Sequence, residues 1–172
     1  MTDISRRALL ATPAAAAAAQ TEPVWTDTRL LRRNDQAVEE LLRRQVTAPL
    51  RRHHGAIPDA YGIVFPHSPA GLLRAGLASW MTPQSRLYRS GELLERLGAA
   101  AGWLQRNQLP SGNFDLPTTN FNSPPDTGFV TQSLAGAAEL ARRGGAAPVS
   151  SGIEPVLKRV GGALSVGGVH TP

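Results

Sequence analysis

The chain has 172 residues, enough for one domain or part of a larger one, and its lack of cysteine excludes a disulfide framework and a thiolate metal site. Only 5% of the residues are aromatic, and many of the 41% that are hydrophobic are alanine, which favours closely packed helices over a sheet sandwich. The net charge of +5 is scattered along the chain and indicates a mild preference for anionic partners.

The first 22 residues resemble a twin-arginine export signal. Arg6 and Arg7 precede the weakly apolar run 12–19, and the small residues near Ala19 suit cleavage. The run is too short and too poor in Leu, Ile and Val to anchor in a bilayer, so no stable membrane insertion is expected. The resemblance implies contact with the export machinery through both arginines and a secreted or periplasmic protein. The alternative is an alanine-rich tail with a chance arginine pair.

The first predicted helix covers residues 34–48. Its apolar side chains recur at the spacing of one helix face, with charged side chains opposite. They are Val38, Leu41, Leu42 and Val46. Pro49 is expected to end this helix, and the Gly and Pro residues in 50–67 predict a loop.

Two further helices are predicted before the middle of the chain. Ser68 is the expected N-cap of the second, with Pro69 at its first helical position and Trp80 near its end. The third helix covers residues 90–107. Its apolar stripe consists of Leu93, Leu94, Leu97, Ala101 and Leu104.

The segment that begins at Gln108 and leads into the fourth helix is rich in Pro, Gly, Asn, Asp, Ser and Thr, which predicts a long ordered loop. Long loops without secondary structure are uncommon in compact domains and are more often functional than decorative. We therefore expect the working surface here, with its amide and aromatic side chains turned outward.

The remaining elements are again helical. Asp126 is the expected N-cap of a fourth helix over 127–143, which Gly144 and Gly145 close. A capping box formed by Ser151 and Glu154 opens the fifth helix. The predicted stripe of the fourth helix is Phe129, Val130, Leu134, Ala137, Ala138 and Ala141.

No stretch alternates apolar and polar residues with β-branched enrichment, so no sheet is expected. About five one-sided helices predict an all-α array of helical hairpins. The alternation of short and long connections predicts that the long loops gather at one end.

The residues from Trp103 to Phe114 resemble the Q-x(2-5)-G-x-[FW] turn of (α/α) toroids, which include terpene cyclases, polysaccharide lyases and glycoside hydrolases. The block 120–126 and the terminal residues 167–172 are similar to secreted bacterial toroid proteins related to heparinase-like lyases. The resemblance covers about 93–172, and an export signal suits a lyase better than a cyclase. It implies that 23–172 form a partial toroid truncated at its C-terminus, because six helical hairpins need about 300 residues.

Five polar side chains of the central loop form the candidate substrate-binding set, namely Asn113, Asp115, Asn120, Asn122 and Asp126. Amides donate and accept hydrogen bonds at once, which suits sugar hydroxyls and carboxylates. Phe114 and Phe121 offer flat apolar faces to a pyranose ring. The alternative interpretation is that these polar groups bond to the loop's own backbone, that both rings fill the core, and that Asp126 caps the helix.

Two reactions suit such a surface. In a lyase, histidine or tyrosine removes the proton beside a uronate carboxyl group while amides stabilise the anion; in a glycosidase, two carboxyl groups share the work. His170 is the candidate base, because its turn resembles the family's. Tyr61 and His67 are further candidates. For each of the three residues the alternative is a structural role or simple exposure on the surface.

Cofactor and metal motifs are missing from the sequence. It contains no Gly-rich phosphate loop, G-x-S-x-G elbow, H-E-x-x-H motif or dinucleotide fingerprint. His53 and His54 beside Arg51 and Arg52 lack a further ligand cluster or interleaved aromatics, so a solvated basic turn is expected. The prediction is therefore no cofactor, no metal and no nucleic-acid partner.

These observations predict an exported carbohydrate-active protein, the N-terminal part of a toroid lyase or glycoside hydrolase. Its expected partner is an acidic polysaccharide or oligosaccharide. The alternatives are a non-catalytic exported helical binding or scaffold protein and an inactive fragment.

Overall fold

A computed structural model describes residues 28–166. The predicted export signal with Arg6 and Arg7, and the candidate base His170, lie outside the described residues. This part of the chain contains five helices and one two-stranded sheet, so the mostly helical class is confirmed. In chain order the elements are α1 (Thr28–Arg44), α2 (His67–Met81), α3 (Gly91–Asn107), β1 (Phe114–Leu116), β2 (Asn120–Ser123), α4 (Pro124–Gly144) and α5 (Ala147–Val166).

The helices pack in two layers. α2 and α4 form one layer, and α3 and α5 form the other; each helix of a pair makes its most extensive contacts with the other. Contacts between α2 and α3 and between α4 and α5 join the layers. α1 packs on α2, and Arg96 of α3 binds its C-terminal end. The Arg96 guanidinium donates from Nε to Oε1 of Gln45 at 2.7 Å and from Nη2 to the carbonyl oxygen of Leu42.

Helices of the same layer run parallel. The ideal Cβ position at Gly136 of α4 lies 3.6 Å from Cδ of Arg74 in α2, and that at Gly144 lies 3.1 Å from Cγ of Met81. Because residue numbers rise together along both helices, α2 and α4 point in the same direction. Contacts from Gly152 to Ala101 and from Arg159 to Gln105 show the same for α5 and α3.

This arrangement places both long connections at one end of the helical array. The segments 45–66 and 108–123 lead into the N-termini of the parallel helices α2 and α4. Arg106, near the end of α3, donates to the carbonyl oxygen of His54 at 2.9 Å and so ties the first segment to the same end. We call the end of the helical array that carries both segments the long-loop end. The predicted gathering of the long loops is confirmed.

The core lies between the two layers and is built from leucine and small residues. Gly76 allows α2 to approach Leu97 of α3, and Gly152 allows α5 to approach Ala101. Interiors pack densely, so small residues at these crossings let neighbouring helices come close. The largest fully buried side chains include Phe114, Ile57, Leu72, Leu73, Leu77, Leu93, Leu97, Leu104, Leu134 and Ile153.

Several predicted helix ends in the first half of the chain were wrong. α1 ends at Arg44, well before Pro49, because the backbone of Val46 pairs across the next loop, donating to the carbonyl oxygen of Ala56 at 2.9 Å and accepting from the nitrogen of Gly55 at 2.8 Å. α2 begins at His67 with Pro66 as its N-cap residue, and it has no side-chain cap there, so Ser68 is not the N-cap.

The later helix ends were predicted with mixed success. α3 begins at Gly91, close to the predicted start, and Ser90 is its N-cap, accepting from the Leu93 nitrogen at 3.2 Å; Gly145 ends α4 in the left-handed conformation, as predicted. α4 begins earlier than predicted, with Ser123 as its cap, so the assignment of Asp126 as N-cap was wrong. α5 also begins earlier, at Ala147, and encloses the predicted capping box.

The expectation of no sheet was wrong for the central loop. β1 and β2 form an antiparallel hairpin in which Phe114 pairs with Ser123 and Leu116 pairs with Asn120. The strands contain three and four residues, and β2 is rich in asparagine, so neither alternation nor strand propensity marks them in the sequence. The register shift between Phe114 and Leu116 further breaks the two-residue period.

Candidate functional site

The base of the β1–β2 hairpin is held by the side chain of Asn122. Its Oδ1 accepts hydrogen bonds from Oγ of Ser111 at 2.6 Å and from Nδ2 of Asn113 at 3.1 Å. Its backbone nitrogen donates to Oδ1 of Asp115 at 2.7 Å. Asn122 has a φ of 51°, in the left-handed region that asparagine tolerates better than most residues. These contacts fix the hairpin from within.

Asn120 and Asp126 bind the same serine. Nδ2 of Asn120 donates to Oγ of Ser123 at 2.9 Å, and that hydroxyl donates to Oδ2 of Asp126. Ser123 also caps α4, and its carbonyl oxygen accepts from Oγ1 of Thr127 at 2.6 Å. The five predicted substrate-binding residues therefore come together, and each has a hydrogen bond that stabilises the hairpin or the start of α4.

Two predicted outward side chains point inward instead. Asn113 is 8% exposed and Phe114 is 1% exposed. The Phe114 nitrogen donates to Oγ1 of Thr127 at 2.8 Å, so β1 is pressed against the first turn of α4 and its ring enters the core. The core-filling alternative was correct for Phe114, because burying an aromatic ring stabilises the fold more than leaving it in water.

The first three residues of β2 are exposed, in agreement with the outward side chains expected for this part of the central loop. Asn120 and Asn122 are exposed, and Phe121 is 74% exposed between them. Phe129 of α4 is 70% exposed, although the predicted stripe counted it as buried. It is next in sequence to the buried Val130, and adjacent helical residues point about 100° apart. We call the exposed β2 residues Asn120, Phe121 and Asn122 the hairpin surface.

The other candidate residues also lie at the long-loop end. Tyr61 is 89% exposed in the turn before α2. His67 is the first residue of α2, and its ring stacks on Phe65 with 5.2 Å between centroids and 21° between planes. The bracing roles of Ser111 and Ser123 were missed in the sequence, because they depend on the hairpin.

The opposite end of α4 carries a compact charged group. Hydrogen bonds from Arg142 and Arg143 lower the pKa of Glu139 from 4.5 to about 2, although the carboxyl group remains exposed. In return, the pKa of Arg142 is raised by its hydrogen bond to Glu139. The two arginines occupy the last turn of the helix, where positive charge is favourable. This group stabilises a helix terminus away from the hairpin.

The described part of the chain holds neither a cluster of metal ligands nor a helix that could span a membrane. Residues 28–166 contain no group of three or more His, Cys, Asp or Glu side chains placed to hold a metal ion. No helix within that range combines the length and apolarity needed to cross a bilayer. Comparison of the chain with protein-family models, curated proteins and solved structures gave no match.

Proposed function

We propose that the chain is the sugar-binding part of an exported (α/α)-toroid protein that acts on acidic polysaccharide. The hairpin surface is the binding site. The observation that carries the proposal is the exposure of Phe121 on a strand whose backbone is braced by Asp115 and Asn122. An exposed ring on a rigid support offers a flat apolar face to a pyranose at a low cost in ordering.

The packing of the helices supports a toroid. Parallel helices within each of two layers, joined as antiparallel hairpins, repeat the same step from α2–α3 to α4–α5. An (α/α) toroid is built by repeating such a hairpin step around a ring. Sites between packed helices and at loop ends are common positions for ligands.

The bound sugar would lie against Phe121 with its polar groups toward Asn120. The Nδ2 group of Asn120 has two hydrogens, and one of them is used on Ser123. The second hydrogen and the carbonyl oxygen of this exposed side chain are available to a hydroxyl or carboxylate group. Asn122 would contribute less, because its carbonyl oxygen already accepts from Ser111 and Asn113.

Cleavage is the second part of the proposal. In a lyase, His170 would remove the proton beside the uronate carboxyl group, and the amides would stabilise the developing anion. The commitment of the asparagines to hairpin bonds favours a second candidate function, a non-catalytic exported binding or scaffold protein. The two functions share the hairpin surface and differ in the role of His170.

Binding is tested with the variant Phe121→Ala and its matched control Tyr88→Ala. Tyr88 is an exposed aromatic residue in the short connection at the opposite end. Calorimetric titration with polygalacturonate, alginate and heparin identifies the best ligand, with dextran as the neutral polymer. Removing the Phe121 ring should weaken binding about fivefold, corresponding to about 1 kcal/mol, and Tyr88→Ala should bind like the wild type.

The result contradicts the proposal if the wild type binds none of the three acidic polymers or if Phe121→Ala binds them unchanged. Cleavage is followed by ultraviolet absorbance of unsaturated products. Cleavage that is lost in His170→Ala, with binding retained, supports the lyase. Binding without cleavage by the wild type supports the scaffold protein.

A further inference from the structure

A second rigid turn with an exposed aromatic ring precedes α2. Residues 58–64 fold back on themselves through a bridge between Pro58 and Val64. Oδ1 of Asp59 accepts from the backbone nitrogens of Tyr61 at 2.9 Å and Ile63 at 2.8 Å, and the Asp59 nitrogen donates to the Ile63 carbonyl oxygen. We call residues 58–64 the Tyr61 turn.

The Tyr61 turn and the β1–β2 hairpin share the same construction. In each, an aspartate accepts at least one backbone hydrogen bond from inside the turn, and an aromatic side chain nearby is exposed. Tyr61 is 89% exposed and Phe121 is 74% exposed. A single exposed apolar side chain is ordinary on a protein surface, but two aromatic rings held on braced turns at the same end of the array offer two apolar faces to one ligand.

The fold brings the two turns side by side. The Tyr61 turn leads directly into α2, and the hairpin leads directly into α4. These helices are parallel neighbours, so their N-termini lie at the same end, separated by the packing distance of about 10 Å between helix axes. A ligand that reached both rings would have to be longer than one sugar unit.

The loop before the Tyr61 turn adds positive charge to this end. Arg51 and Arg52 are exposed, and neither forms an ion pair within residues 28–166. Their loop is held in place by the bond from Arg106 to the His54 carbonyl oxygen. The carboxylate of Asp59, the acidic residue of the Tyr61 turn, accepts hydrogen bonds from backbone nitrogens of that turn. Exposed arginines without partners suit the carboxylates of a uronate polymer.

We propose that Tyr61 is a second sugar-binding platform and that an acidic polysaccharide lies across both turns. Arg51 and Arg52 contact its carboxylate groups beyond the Tyr61 turn. This inference rests on the proposed function and adds a binding mode to it. Two platforms on one rigid array make affinity depend on chain length, because only a long ligand engages both at once.

The test uses oligosaccharides of increasing length from the acidic polymer that the wild type binds best. Tyr61→Ala should bind the shortest binding oligosaccharide like the wild type and long ones about fivefold more weakly. Phe121→Ala should bind both lengths more weakly. Tyr61→Phe keeps the ring and should bind all lengths like the wild type. Replacing Arg51 and Arg52 with Gln should flatten the salt dependence for long ligands.

The outcomes separate the two proposals. If Phe121→Ala weakens binding while Tyr61→Ala binds long oligosaccharides unchanged, the hairpin surface stands and the second platform is wrong. If the wild type binds no acidic polymer, the proposed function itself fails. Circular dichroism spectra of the variants check that each has kept its helices, and the exposure of Tyr61 makes its substitution a mild change to stability.

Discussion

The carboxylate of Asp115 accepts a hydrogen bond at 2.7 Å from the backbone nitrogen of Asn122, across the β1–β2 hairpin. The two residues were expected to bind substrate, and the structure places them as braces of the strand that presents Phe121. A braced strand holds its exposed ring in one position before any ligand arrives, which lowers the ordering cost of binding. These side chains therefore support the proposed site more than they line it.

The bracing role predicts how Asn122 responds to substitution. Asn122→Ala should lower the free energy of unfolding by about 1–2 kcal/mol, because it removes an acceptor for Ser111 and buried Asn113 and puts alanine at a positive φ. Asn122→Gly tolerates that φ and should cost less. Urea denaturation measures both, and equal stability of Asn122→Ala and the wild type would contradict the bracing role.

Gly55 and Gly62 provide a matched pair in the first long connection. Both have positive φ, but a Cβ at Gly55 would lie 2.0 Å from the carbonyl oxygen of Ala99, and one at Gly62 would meet nothing within 4 Å. Gly62→Ala should therefore cost about 1 kcal/mol from backbone strain. Gly55→Ala should cost about 3 kcal/mol or more, because the loop must also move off α3. Thermal and urea unfolding of both variants test the difference, and similar losses would show that Gly55 does not seat this loop.

Asp35 of α1 holds the short connection between α2 and α3. It is 2% exposed and accepts hydrogen bonds from Oγ of Ser79 at 2.6 Å, Oγ of Ser85 at 2.7 Å and the nitrogen of Arg86 at 3.1 Å. Asp35→Ala should lower the free energy of unfolding by about 3 kcal/mol, because buried donors lose a charged acceptor. The exposed neighbour Gln36→Ala is the control and should change stability by less than about 0.5 kcal/mol. A small effect of Asp35→Ala in urea denaturation would show that water replaces the carboxylate.

Glu139 predicts a stability difference that depends on pH. Its pKa is lowered to about 2 in the folded protein from an ordinary value of 4.5, so folding favours the ionised form. The stability that it contributes is complete above about pH 4.5 and is lost as pH falls through about 2. The urea midpoint of unfolding should therefore be higher for the wild type than for Glu139→Gln at neutral pH. The two midpoints should become similar near pH 2. High salt should reduce the difference at neutral pH, because the group is exposed. A difference that is independent of pH would contradict the role of the carboxylate charge.

Part of this structure could be predicted from the sequence alone. The apolar stripe of α3 and the glycine end of α4 are local patterns, set by helix geometry within a few residues. The helical class and the alternation of short and long connections follow from the same patterns. The content of the central loop also identified where the hairpin surface lies, because a concentration of Asn, Asp, Gly and Pro requires an irregular or tightly turned backbone.

The sequence alone determined helices, most of their apolar faces and the location of one polar segment between them. Only the tertiary structure decided that this segment pairs as a hairpin, that Phe114 turns inward while Phe121 and Phe129 turn outward, and that Tyr61 lies at the same end. Burial and hairpin pairing depend on contacts with α4 and on the parallel packing of α2 and α4. Those contacts join residues far apart in the chain, and no local spacing records them.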